Sequence, residues 1–176
     1  MKIKSLVTVL LVAFILASCA PAAKVVPTEM TAPMADNFAF ILRDNPCEVN
    51  ILDTASGTLV HFPVGERTSI TIPLRLIHDE LESVYQKALS INFFDYPAKI
   101  VAPDNLVHMT YAPSGTYDLS MTNGAMTNST TWTSDIITEP LFAQAAQFME
   151  LVKFIRKIIE SHPEFKQLPE PKAACA

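Results

Sequence analysis

Asn123-Gly124 stands between two strand-like runs, Thr116–Thr122 and Ala125–Thr133. Asn-Gly in that setting is the strongest short-range signal of a two-residue hairpin, because both residues tolerate the positive φ of the tight turn. A hairpin commits the chain to an antiparallel sheet with one face available for a core. Tyr117, Leu119 and Met121 share a face. With Asn123-Gly124 as the loop, Thr130, Asn128 and Met126 come opposite them, and Trp132 keeps their parity. Trp132 is therefore expected between the sheet and a helix. Asn128 opposite Leu119 is an awkward pair and predicts a bulge or a solvated stretch.

The rest of the chain supplies what such a hairpin needs. The four glycines, Gly57, Gly65, Gly115 and Gly124, all fall between apolar runs and mark corners. Phe38–Arg43 reads as a first strand, ended by Asp44-Asn45-Pro46. Glu48–Asp53, Thr58–Phe62 and Ser69–Leu74 follow as an antiparallel meander, and Val107–Tyr111 is a further strand. A helix is predicted from about Ile77 to Ile91, with Ile77, Leu81, Val84, Tyr85 and Ala88 on one stripe. Asp79, Glu80 and Glu82 sit in its first turns, where the helix dipole favours acids, and are read as solvated rather than as a metal site. Phe93–Pro97 ends the helix and brings aromatic bulk beneath it. A final helix begins near Thr138-Glu139-Pro140. Its stripe, Leu141, Ala145, Phe148, Val152, Ile155 and Ile159, recurs at spacings of 4, 3, 4, 3 and 4. These elements predict an α+β fold: an antiparallel sheet of about six or seven strands with two helices packed on one face.

Leu151, Phe154 and Ile158 form a second line on that last helix, about 80–140° round from the core stripe at 100° per residue. A helix lying on a sheet buries a stripe only somewhat wider than about 100°. These three residues are therefore either covered by the first helix or the Phe165–Leu168 tail, or offered as a surface to a partner.

Location is written at the N-terminus. Lys2 and Lys4 precede an apolar run, Leu6–Leu16, too short for a stable membrane span. Leu16-Ala17-Ser18-Cys19 then resembles the lipobox of bacterial lipoproteins, in which the signal is cut before the cysteine and that cysteine carries lipid. The resemblance implies a signal peptide over 1–18 and attachment to a membrane through lipid on Cys19. Residues 19–36, with Pro21, Pro27 and Pro33, read as a Pro/Ala-rich tether. A single globular domain follows over 37–169, then a flexible tail over 170–176. By the same resemblance, Ala20 is not the aspartate associated with inner-membrane retention in Gram-negative cells, so a protein facing the periplasm is expected, on the outer membrane if the cell is Gram-negative. The formal charge of −5 becomes −7 without Lys2 and Lys4, which excludes a general affinity for nucleic acid. In an oxidising compartment Cys47 and Cys175 are either joined, or Cys47 is a small buried hydrophobe and Cys175 sits on the tail.

No catalytic, cofactor-binding or metal-binding motif is present: no GxSxG, no phosphate-binding glycine loop, no CxxC and no HExxH. His61 and His108 alternate within strands, but no cysteine or acid shares ligand spacing with them, so each reads as hydrogen-bonded or solvent-facing. Asp118 and Asp135 would act as bases only in a pocket that raised their pKa values.

Beyond the lipobox, Phe40…Cys47…Leu52-Asp53-Thr54, Leu81…Tyr85 and Asn92-Phe93-Phe94…Pro97 resemble a group of uncharacterised bacterial lipoproteins. So do Tyr117-Asp118-Leu119, Trp132 and the ending Ile155…Ile159…Pro163-Glu164-Phe165-Lys166-Gln167-Leu168-Pro169. Ile77 departs from that pattern, which has Thr or Ser as the helix cap. The resemblance implies an envelope location and a general fold, and carries no activity. The expected role is a non-enzymatic accessory or binding module meeting an envelope protein partner. The alternatives are a hydrolase whose site assembles only in three dimensions, and an inhibitor acting through Ala102–Leu106.

Overall fold

The computed structural model describes residues 33–45, 49–64, 68–103, 115–133 and 142–169. The signal, Cys19, the tether up to residue 32, Cys47, Cys175, His108, Asp135, the strand expected at Val107–Tyr111 and most of Ala102–Leu106 lie outside these residues.

Six strands form one antiparallel sheet in the order β4-β3-β2-β1-β5-β6. They are β1 (Ala39–Asn45), β2 (Val49–Asp53), β3 (Thr58–Phe62), β4 (Ile70–Pro73), β5 (Thr116–Asn123) and β6 (Met126–Thr133). The meander β1–β4 spreads to one side of β1, and the hairpin β5–β6 returns to its other side. Period-two alternation puts Phe40, Leu42, Leu52, Leu59, Leu119 and Met121 on one face, all buried. The opposite face is polar along the hairpin and keeps Ile41 46% exposed. Pro73, which cannot donate to a ladder, sits on edge strand β4, where that lack is tolerated.

Helices α1 (His78–Ser90) and α2 (Ala143–Ser161) cover the apolar face. Tyr85 of α1 meets β5 at Asn123, and α2 meets β6 where Phe142 packs on Trp132. Further along, Arg156 of α2 meets β1, and His162 beyond its end returns to Glu80 at the start of α1. The helices are thus antiparallel, and α2 crosses the strands from β6 to β1. No described helix is long and apolar enough to cross a membrane.

Ile77 is the N-cap of α1 without any side-chain acceptor, and is 61% exposed. Only the Glu80 half of a capping box forms: Glu80 Oε2 accepts the Ile77 N–H at 2.9 Å. Glu80 is therefore not simply solvated, since its carboxylate also meets His162 Nε2 at 3.1 and 3.2 Å. Asn92, in the left-handed conformation at φ 55°, ends α1 before the aromatic turn Phe93–Asp95.

Three expectations need correction. First, β1 runs on through Asp44 and Asn45, because the Asp44 carboxylate finds a partner inside the core. Second, the hairpin register is two residues from that expected. Tyr117 pairs with Trp132, Leu119 with Thr130 and Met121 with Asn128, so Gly124-Ala125 is the loop. Gly124 alone takes positive φ (63°), as a type II′ turn with glycine first requires. No bulge is needed, because Asn128 Nδ2 donates to the carbonyls of Phe93 (2.7 Å) and Tyr96 (3.1 Å). Third, α2 begins at Ala143 after an extended Phe142, later than expected, and the predicted start at Thr138-Glu139-Pro140 lies outside the described residues.

Candidate functional site

Two polar nodes lie in the layer between sheet and helices, one towards each end of the strands. At the hairpin-turn end, Asn123 is 5% exposed and bonded on both sides of its amide. Its Nδ2 donates to Tyr85 Oη (3.0 Å), and its Oδ1 accepts the Ala35 N–H (2.7 Å). Asn37 clasps the turn itself, accepting the Gly124 N–H at 2.8 Å and donating to the Gly124 carbonyl at 3.1 Å. Tyr85 Oη donates in turn to the Pro33 carbonyl (3.5 Å). Burial, aided by the charge of Glu82 and opposed by the Asn123 bond, raises the Tyr85 pKa above its ordinary value. Among the described residues the domain's contacts thus already include Pro33, inside the stretch read as tether.

At the opposite end β1 and β3 finish, β2 and β5 begin, and β6 finishes. One register row there is polar on the core side: Trp132, Tyr117, Asp44, Asn50 and His61 stand side by side across β6, β5, β1, β2 and β3. Its centre is a charged pair. Arg156 Nε and Nη2 donate to Asp44 Oδ2 and Oδ1 at 2.6 and 2.7 Å, with Asp44 5% exposed. Burial works against the Arg156 charge, but the bonds to Asp44 and its charge outweigh that, helped by Tyr117, and its pKa is raised.

The flanks of the row are unsaturated. His61 Nδ1 lies 2.8 Å from Asn50 Oδ1, which sets that nitrogen as the donor. His61 Nε2 and Trp132 Nε1 are buried with no hydrogen-bond partner. Orphaned buried polar atoms are rare, and two in one register row single out this end as the candidate site. The described residues hold no cluster of three or more His, Cys, Asp or Glu arranged to bind a metal ion.

Trp132 is buried between the sheet and α2, as its parity predicts, edge-on to Phe142 at 5.7 Å. His61 is hydrogen-bonded, one of the two alternatives expected. Asp118 accepts the Thr131 hydroxyl at 2.6 Å. Of the candidate partner surface, Leu151 is fully buried and cannot belong to it, whereas Phe154 and Ile158 are half-buried against the core. α2 packs on α1 as well as on the sheet, so it buries a wider arc than a helix on a sheet alone. The turn Phe165–Gln167 follows α2, with Phe165 and Leu168 also laid against the core.

The Asp44–Arg156 pair is absent from the sequence reading, since its members are 112 residues apart. Half of the signal was there: Asp44 shares the inward parity of Phe40 and Leu42, and an inward acid needs a partner.

The fold and its polar row define the class: a single antiparallel sheet covered on one face by two helices, with a charged pair buried beneath the second helix. No known family model matches the chain, and no curated protein does.

Proposed function

We propose that this protein is a lipid-anchored bacterial envelope lipoprotein, attached through Cys19 and facing the periplasm, from the outer membrane if the cell is Gram-negative. Its domain is a non-enzymatic accessory or binding module that meets an envelope protein partner. The lipobox-like Leu16-Ala17-Ser18-Cys19 carries the location. One observation supports the role: Asp44, the carboxylate buried in the core, is committed to a two-pronged bond with Arg156, which suits a framework better than a proton-transfer site.

Acyl burial stabilises a membrane anchor by about 0.8 kcal/mol per CH₂, so two or more chains give lasting attachment. Cys19→Ala should therefore abolish incorporation of labelled palmitate and leave the protein unprocessed or soluble. A variant that is cleaved and membrane-bound as before refutes the anchor. A photocrosslinker at Phe154 or Ile158 should capture an envelope protein in intact cells, and its absence there refutes this surface.

The hydrolase alternative rests on His61, whose Asn50-oriented imidazole leaves Nε2 without a partner, although that atom is buried. Hydrolysis of a chromogenic ester by the wild type, lost in His61→Gln, would select that reading.

A further inference from the structure

We infer that Asn123 is a latent deamidation site, kept intact in the folded protein by the Pro33–Phe38 segment. In an Asn-Gly sequence the backbone nitrogen of the glycine, having lost its proton, attacks Cγ of the asparagine. The N–Cγ bond forms and the Cγ–Nδ2 bond breaks, and ammonia leaves with a proton taken up from solvent. Water then opens the cyclic imide at either carbonyl, giving aspartate or isoaspartate. One water is consumed and one ammonia released, and no other reactant is required. Glycine makes the attack easy because no side chain hinders the approach or the backbone rotation it needs.

Both reacting groups are restrained here. The attacking nitrogen keeps its proton engaged with Asn37 Oδ1 at 2.8 Å. The leaving Nδ2 is held on Tyr85 Oη at 3.0 Å, and Oδ1 on the Ala35 N–H at 2.7 Å. Asn123 also pairs with Met126 across the hairpin, which fixes its backbone. Two of the three restraining partners, Asn37 and Ala35, belong to the segment through which the chain enters the domain. Release of that segment therefore frees the nucleophile and the amide oxygen together, leaving the amide held by Tyr85 alone. Aspartate at 123 would place a charge in a site that is 5% exposed, and isoaspartate would add a methylene to the turn backbone. Either product opposes re-docking, so the reaction records detachment irreversibly.

The test holds the purified full chain at mildly alkaline pH and follows the mass gain at Asn123 by peptide mapping. The native wild type should react much more slowly than the same chain in urea. Asn37→Ala should react about tenfold faster than native wild type or more, since the rate through local opening follows the opening constant. Thr54→Ala, which loses its bonds to Phe40 on another turn, should stay near the wild-type rate. Asn37→Asp keeps the acceptor for the Gly124 N–H and should retain most of the protection, which covers the case in which Asn37→Ala fails to fold. Equal rates in native and unfolded wild type overturn the inference. So does an Asn37→Ala rate no greater than that of Thr54→Ala, or an Asn37→Asp rate equal to that of the unfolded chain.

Discussion

The two ends of the sheet satisfy their buried polar groups in opposite ways. At the turn end the groups are neutral, and Asn123, Tyr85 and Asn37 are each hydrogen-bonded. At the other end the central pair is fully charged, and the flanking His61 Nε2 and Trp132 Nε1 have no partner. A neutral, saturated network holds position at low electrostatic risk. A buried ion pair stabilises little on balance, yet removing one member strands the other. The turn end is thus built to stay closed, and unsatisfied hydrogen-bonding capacity collects at the far end.

The largest expected effect breaks the charged end. Arg156→Met should cost roughly 3 kcal/mol, because it leaves Asp44 charged and buried. Asp44→Asn should cost less, since the Arg156 side chain is 33% exposed and water can take up its donors. Urea unfolding reads both, and equal losses would show that shape rather than charge matters there. The turn end should instead fail at alkaline pH. The folded pKa values of Tyr85 there, and of Tyr96 with its hydroxyl on Gln147 of α2, are raised, mainly by burial, so folding holds protons that the unfolded chain releases. Their contribution is complete below the ordinary tyrosine pKa of about 10 and is lost as pH rises through the folded values. Melts above that range should show stability falling with pH, and Tyr85→Phe should flatten the fall. The smallest effect is expected of His61→Leu, which removes an orphaned nitrogen and leaves half-buried Asn50 within reach of solvent. Stability within about 1 kcal/mol of wild type is expected. A much larger loss would show that His61 is already satisfied, by water or by a ligand.

Elements governed by local pattern were legible in the sequence. Thr58–Phe62 is a strand as predicted, and α1 lies between its expected limits because the apolar stripe and flanking signals agree. The hairpin was placed correctly but two residues out of register. Nothing local to Asn123 shows that its amide is needed by Tyr85 and Ala35, which makes it a strand residue instead of a loop residue. Leu151 is covered, one of the two alternatives the sequence leaves open, and the pattern of its own helix cannot decide between them. The charged pair was hidden by sequence distance, and taking Asp44 as the end of the first strand hid its inward parity as well.

The place of β1 has a consequence for the order of folding. It is the strand from which the sheet grows both ways, yet Ala39 pairs with Thr122 and Asn45 with Thr116, far along the chain. As the chain emerges from its N-terminus, β1 to β4 can assemble by local hairpins while the second edge of β1 stays bare. Closing such a long loop is slow compared with forming the meander. Until β5 arrives, the whole length of β1 offers unpaired backbone to any other extended chain. A protein made this way is most exposed to misassociation before its last hairpin is complete.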